Sequence, residues 1–344
     1  MMKILHVVAG SIGGGETYFR NFLATCDDYH LLELTNQNKN IESDFPLKYS
    51  FFEKKKGPIG LIKAFFKYLR FLNRIKPDII NAEDPESLGF TLISYYLPFV
   101  HKAKKYYYTK HTQKAKVYPV FDFLQQRYFD ICQAVICISE DTRKSMEKYH
   151  KARFVTIYNG TAFPHAPHVP ETNMILSFGR LVHLKGFDLL LTAYASSNFK
   201  DNYRLVIFGP GGEKNLEEMI VNTPKVEYLG MVSNKTKTFA ELLSSAAVVV
   251  LPSRVEGFGY TALEALNFRK KPKTLIVSDI PPFKEILDDL PTFFKSEDVN
   301  DLRKKLDYVL ANASSFKPDP RKEAILKKFS REKMIAAYLS EYET

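Results

Sequence analysis

A chain of 344 residues, 45% apolar and 26% charged, is long enough for two domains with cores of their own. Its three cysteines, Cys26, Cys132 and Cys137, form no CxxC pair; they read as reduced thiols of a cytoplasmic protein, which sets aside a disulfide framework or zinc site. The formal charge of +10 is uneven, roughly +8 over residues 1–165 and roughly +2 over the rest, so the first half expects an anionic neighbour: phospholipid, nucleic acid or a phosphorylated acceptor.

Lys3 ahead of Ile4-Leu5-His6-Val7-Val8 has the outline of a signal peptide, but the apolar run is too short. It ends in Gly13-Gly14-Gly15 rather than a cleavage site, and reads as a buried first strand. A helical pattern follows from Glu16 to Thr25. Ile59 to Arg74 predicts an amphipathic helix, with Lys63, Lys67, Arg70 and Arg74 in one cationic stripe and Ile62, Phe65, Phe66, Leu69, Phe71 and Leu72 filling much of the remainder. Two readings stand for that stripe: a solvated basic face on a packed helix, or a face resting on anionic lipid. Asp78-Ile79-Ile80, Lys105 to Thr109, Ala134 to Ile138 and Phe154 to Tyr158 read as short strands between helices, hence βαβ units and a parallel sheet. Leu88 to Val100 is apolar but holds Pro98 and falls short of the ~20 residues of a spanning helix, so no membrane crossing is expected. Lys102 to Tyr108, with Lys114, Lys116 and Tyr118, adds basic and aromatic residues that are expected near the mouth of a cleft.

At Asn159-Gly160 the alternation breaks, and Thr161 to Thr172, with three prolines and two histidines, reads as a linker. The alternation then restarts with a strand at Met174 to Phe178, a helix at Gly186 to Ala195, and strands at Arg204 to Phe208, Val226 to Leu229, Ala247 to Leu251 and Thr274 to Val277. Two α/β halves follow: an N-terminal domain over residues 1–163 and a C-terminal domain over 164–329. A ligand is expected outside the carboxyl ends of the sheets, in the cleft between the halves.

Three segments carry chemistry. Gly13-Gly14-Gly15-Glu16 opens a helix after the first strand, where backbone N–H groups approach an anion; a plain tight turn is the competing reading. Gly179-Arg180 through Lys185-Gly186 sets two cations at a strand's carboxyl end, suited to a diphosphate leaving group or to a solvated basic loop. Pro252-Ser253-Arg254-Val255-Glu256-Gly257-Phe258-Gly259-Tyr260 runs from a strand into a helix that also carries Glu264. Two carboxylates flanking a helix-start anion site suit sugar and ribose hydroxyls, which need acceptors; capping and surface roles are the alternative.

Together these segments resemble glycosyltransferase family 4, whose hallmark is a Glu-x7-Glu motif, here Glu256 and Glu264. Ile157-Tyr158-Asn159-Gly160, Phe208-Gly209-Pro210-Gly211, Tyr228-Leu229-Gly230, and Ser278-Asp279-Ile280 with Glu285 extend the match over most of the chain. The resemblance implies a GT-B fold, two Rossmann-like domains facing each other across a donor-binding cleft, with the C-terminal helix 330–344 packing back on the first. It also implies a retaining transferase. Glu264 would bind the ribose and Glu256 the donor sugar, with the amides of Phe258, Gly259 and Tyr260 near sugar and phosphate. Arg180 and Lys185 would hold the diphosphate, Gly14 and Gly15 would close over it, and His111 would touch the donor sugar.

With no strand-end Asp-x-Asp, no metal and no other cofactor is expected; the cations and helix start would do a metal's work. The expected partners are a nucleotide sugar, a glycan or lipid-linked acceptor, and an anionic membrane surface met through 59–76 and 102–118, with no nucleic acid. The expected location is cytoplasmic, on the inner face of the membrane. The resemblance is weakest at Leu266 to Thr274, longer and more basic than the family pattern, and at Ile280-Pro281-Pro282, where glycines are usual; both are expected to alter the donor-sugar loop. A nucleotide-sugar epimerase or phosphorylase, a non-catalytic sugar-nucleotide binder and a nicotinamide oxidoreductase are the alternatives, the last disfavoured by the missing GxGxxG.

Overall fold

The computed structural model describes residues 2–9, 14–34, 44, 48–51, 57–111 and 119–344. Two compact units emerge: Met1–Thr161 together with Phe329–Thr344, and Ala162–Lys328.

In the first unit the order is β1 (Ile4–Val8), α1 (Gly14–Thr25), β2 (Tyr29–Glu33), β3 (Tyr49–Phe51), α2 (Pro58–Ile75), β4 (Ile79–Ala82), α3 (Pro85–Tyr96), β5 (Lys105–Lys110), α4 (Pro119–Phe129), β6 (Ala134–Cys137), α5 (Glu140–Glu147) and β7 (Phe154–Thr156). The strands form one parallel seven-stranded sheet in the order β3-β2-β1-β4-β5-β6-β7. Buried on both faces, β1 is apolar almost throughout, as central parallel strands must be. Its alternate residues serve different layers: Ile4 and Val8 pack with Tyr18, Phe19 and Phe22 of α1, while Leu5 and Val7 pack with Tyr68, Leu69 and Leu72 of α2.

The second unit runs β8 (Thr172–Phe178), α6 (Phe187–Ala195), β9 (Arg204–Phe208), α7 (Lys214–Asn222), β10 (Val226–Tyr228), α8 (Lys237–Ser245), β11 (Ala246–Leu251), α9 (Tyr260–Phe268), β12 (Leu275–Ser278), α10 (Pro281–Leu287), β13 (Thr292–Phe294), α11 (Val299–Asn312) and α12 (Arg321–Lys328). Its six strands are all parallel, in the doubly wound order β10-β9-β8-β11-β12-β13. In such a sheet the strand-to-helix loops share the carboxyl edge, and the crevice opens where the strand order reverses, between β8 and β11 here and between β1 and β4 in the first unit.

The last helix, α13 (Arg331–Glu343), belongs to the first unit, where Met334, Ile335, Tyr338 and Tyr342 are buried beside α1 and β1. Lys105 Nζ donates to Tyr342 O at 2.8 Å, Tyr107 Oη to Glu341 O at 2.9 Å, and Arg153 pairs with the Glu341 carboxylate.

Two sequence expectations are overturned by this topology. Residues 102–108 do not line a mouth at the carboxyl edge, because β5 starts at the opposite edge and its Tyr106, Tyr107 and Tyr108 are buried. Lys102 instead caps the end of α3, donating to Ser94 O and Leu97 O at 2.7 Å each. Lys114, Lys116 and Tyr118 lie outside the described residues. Nor does Leu266 to Thr274 lie near a donor sugar: it joins the end of α9 to the start of β12, at the amino edge of the sheet. Its Arg269 is buried, donating to Leu243 O at 2.9 Å, Ala246 O at 2.6 Å and Ala247 O at 3.0 Å, and burial draws its pKa down to about 10. Arg269 is scaffolding that satisfies buried carbonyls, and Lys271 and Lys273 donate to carbonyls nearer the surface.

Candidate functional site

The carboxyl edge of the second sheet brings together most of the residues singled out from sequence. After β8 the chain turns at Gly179, whose φ of 137° suits only glycine, and passes Arg180, exposed, into a short 3-10 turn (His183–Lys185). Gly186 follows with φ 67°; a Cβ there would lie 2.0 Å from Pro252 O, so the turn sits directly against the loop after β11. That approach places Lys185 Nζ 2.6 Å from Glu256 Oε1, an ion pair with both side chains largely buried. Ser253 Oγ donates to the same carboxylate oxygen at 2.8 Å. Lys185 and Glu256 therefore bridge the β8–β11 reversal, where a doubly wound sheet takes its ligand.

The Glu256 loop then enters α9 through Gly259, φ 110°, with no side chain capping the helix start. That φ favours glycine, and a Cβ there would also press on Ile286 Cδ1 at 2.9 Å and Phe283 Cε1 at 3.0 Å of α10. The buried Phe258 ring meets Tyr260 edge-on at 5.4 Å and fixes the chain entering the helix. Glu264 stands a turn further on, its Oε1 accepting from Asn234 Nδ2 at 3.0 Å. Burial raises its carboxyl to about 7, against the lowering effects of the Asn234 hydrogen bond and the Lys185 charge. A helix start with partial positive charge, one cation and two carboxylates thus converge from two loops and the first turns of α9.

In the first unit Gly14 and Gly15 open α1 just beyond β1, while Gly13 lies outside the described residues. His111 follows β5, with its Nε2 2.6 Å from Oε2 of the buried Glu83. Burial, then the charge of Lys110, draws the His111 pKa down to about 4, which keeps the ring neutral.

Sequence reasoning passed over Arg254, although it stands inside the quoted motif. Its guanidinium grips Asp188 through two bonds of 2.7 Å, donates to His183 O at 2.7 Å and reaches Glu297 Oε1 at 2.7 Å, while its backbone N–H donates to Leu184 O at 2.9 Å. Burial raises Asp188, but the hydrogen bonds and charge of Arg254 outweigh it, so its carboxyl titrates below the usual range. Arg254 is the clamp that holds the Lys185 turn against the Glu256 loop. Replacing it by Ala is expected to cost about 2 kcal/mol in urea unfolding of the second unit. Donor affinity should fall with it, and an unchanged midpoint would remove the clamp. The available sequence signal was an acidic residue three positions after Lys185, in the first turn of a helix.

Known proteins sharpen the picture. Residues 12–162 match the family model described as Glycosyltransferase Family 4, and residues 161–329 that of Glycosyl transferases group 1. An uncharacterized glycosyltransferase of Methanocaldococcus jannaschii is 29% identical over 218 residues, 61% of this chain and 59% of that relative's own length. Anabaena HepE, in its complex with UDP and glucose, superposes with a TM-score of 0.83 at 16% identity, covering 99% of this chain and 100% of that chain. The lipopolysaccharide outer core galactosyltransferase WaaB gives 0.73 at 17% identity, over 99% and 100%. With adjoining family models spanning residues 12–329 and two parallel Rossmann-like sheets beneath them, the chain belongs to glycosyltransferase family 4 and has the GT-B fold.

Proposed function

We propose that the protein is a retaining hexosyltransferase that moves a sugar from a nucleoside diphosphate sugar to a glycan or lipid-linked acceptor, in the making of cell-surface polysaccharide or glycolipid. The carrying observation is the Lys185–Glu256 pair at the strand reversal, with Glu264 one turn into the helix behind it. Glu264 accepts from ribose hydroxyls, Glu256 from the sugar, and Lys185, Arg180 and the amides around Phe258 to Tyr260 face the diphosphate. Gly14, Gly15 and His111 keep the roles that the family pattern implies.

In the reaction the bond from the anomeric carbon to the diphosphate oxygen breaks and one to the acceptor hydroxyl oxygen forms on the same face. The hydroxyl proton leaves with the diphosphate. Charge builds on the departing oxygens, which fixed cations and backbone dipoles stabilise without reorganising. These groups supply what a divalent ion otherwise would, so turnover without metal is part of the proposal.

HepE is described with UDP and glucose, which makes UDP-sugars the first donors to test. The test is thermal shift against UDP-, GDP-, ADP- and dTDP-sugars, with and without EDTA. Stabilisation by one nucleotide series in EDTA, followed by transfer to an added acceptor, supports the reading. No shift with any donor sinks it, epimerised or phosphorylated products favour the same-fold alternatives, and binding without turnover favours the non-catalytic one.

The acceptor side of the proposal rests on α2. Leu69, Phe71 and Leu72 face inward, but Ile59, Ile62 and Phe66 are 69%, 55% and 56% exposed, at helical spacing and interleaved with exposed Lys63, Lys67, Arg70 and Arg74. Neighbouring α3 and the loop after it add exposed Ile93, Tyr96 and Phe99. An apolar ridge flanked by cations suits the headgroup boundary of an anionic bilayer. No helix among the described residues is long and apolar enough to cross a membrane. At ~1 kcal/mol per cation, Lys63→Ala with Lys67→Ala should weaken binding to phosphatidylglycerol vesicles about 30-fold. Co-sedimentation reads the change, and equal binding to phosphatidylcholine vesicles would contradict the electrostatic account.

A further inference from the structure

The strand reversal of the first sheet holds a cluster that the proposed reaction does not yet use. His6 on β1, Asn81 on β4, Glu83 just past β4 and Thr109 on β5 are all buried, and Tyr342 reaches them from α13. Glu83 joins two histidines. Its Oε1 touches His6 Nδ1, and its Oε2 lies 2.6 Å from His111 Nε2. On the far side of His6, Nε2 lies 2.9 Å from Tyr342 Oη, which accepts from Asn81 Nδ2 at 2.9 Å. The second Asn81 N–H goes to Thr109 Oγ1 at 2.8 Å.

The protons can be counted along this chain. An amide N–H only donates, so the Tyr342 oxygen is the acceptor there and its own proton is left for His6 Nε2. If Tyr342 gives that proton, the N–H of the His6 ring falls on Nδ1, the atom in contact with Glu83 Oε1. The other carboxylate oxygen takes the Nε2–H of His111. Two histidines thus meet one buried carboxyl, which burial pushes up to about 7 against the lowering effects of the His6 charge and hydrogen bond. Nδ1 of His111 is therefore left with a lone pair. It has no hydrogen-bond partner among the described residues and is not one of the buried polar atoms, on a side chain that remains 24% exposed.

We propose that Glu83 is a positioning residue that holds His111 as its Nε2–H tautomer, so that the ring presents Nδ1 to the substrate as a hydrogen-bond acceptor. That the substrate group is a sugar hydroxyl rests on the transferase reading; the tautomer itself does not. The low pKa of His111 accords with a ring that accepts rather than donates at its exposed edge. The same chain reaches α13, since Tyr342 Oη lies 2.9 Å from His6 Nε2, on the side of the ring away from Glu83.

The test is long-range proton–nitrogen correlation spectroscopy on histidine-labelled protein at neutral pH, with His111→Ala assigning the signal. The wild-type spectrum needs no variant. A neutral ring protonated on Nε2 is expected, and a ring protonated on Nδ1, or an imidazolium, overturns the proposal. In Glu83→Ala His111 Nε2 loses its acceptor, so the His111 pattern should shift away from the Nε2–H form, and Glu83→Asp should restore part of it. An unmoved signal in a folded Glu83→Ala protein also overturns the proposal. With a donor in hand, Glu83→Ala should lower kcat by about 10-fold or more while donor KM stays within about 2-fold. If no donor turns over in the wild type, the transferase reading fails while the tautomer result stands or falls by itself.

Discussion

Lys185→Ala should lower donor turnover by about 10²–10³-fold, the range seen when one preorganised donor to a developing negative charge is removed. Lys185 is anchored for this purpose. Its backbone closes a 3-10 turn, its ammonium sits 2.6 Å from Glu256, and Arg254 holds the two loops together. Removing it leaves the largely buried Glu256 carboxylate with the Ser253 hydroxyl, so donor binding should weaken too. If the pair acts as a unit, Lys185→Ala with Glu256→Ala should be little worse than the poorer single variant. Steady-state kinetics on the donor found by thermal shift decides. Turnover of Lys185→Ala within threefold of wild type would remove Lys185 from the site.

Gly209→Ala should destabilise the second unit by about 3–5 kcal/mol, a loss of roughly 10 °C in its melting transition. Gly209 has φ 142°, and a Cβ there would fall 1.9 Å from Gly179 O, a backbone atom that cannot swing aside. Its N–H donates to Gly230 O at 2.7 Å, and its carbonyl accepts from Tyr228 Oη at 2.7 Å. Gly230 supplies the control. It too has positive φ, 67°, but nothing lies within 4 Å of its added Cβ, so Gly230→Ala should cost only about 1 kcal/mol. Equal melting of the two variants would mean that backbone strain, and not the approach of the two loops, governs this edge.

Much of the fold was legible because strands buried on both faces leave largely apolar runs, as in Ile4–Val8, Arg204–Phe208 and Ala246–Leu251. What went unread were β2, where His30 and Glu33 interrupt the run, and the three-residue edge strands β3 and β13; β7 and β10, equally short, were read only from the alternation around them. The site divides in the same way. Lys185, Glu256 and Glu264 announce themselves through glycines that turns require, but the Arg254 clamp joins residues up to 71 positions apart. The Glu83 cluster is less legible still. His6 and Glu83 meet only because β1 lies beside β4, a matter of sheet order that no local window contains. The basic run after α9 misled for the converse reason: cations in sequence look like surface, and only the packed structure shows Arg269 spent on buried carbonyls.

The return of α13 to the first unit sets the order in which a growing polypeptide can finish its parts. Tyr338 and Tyr342 are fully buried among Phe22, Tyr18 and His6, so residues 1–161 lack part of their interior until residues 329–344 have been made. The second unit is continuous from Ala162 to Lys328 and closes over its own core. On the ribosome the half synthesised first therefore reaches its final form last. It spends the translation time of the whole second half with an open aromatic groove, which is when a chaperone has most to bind.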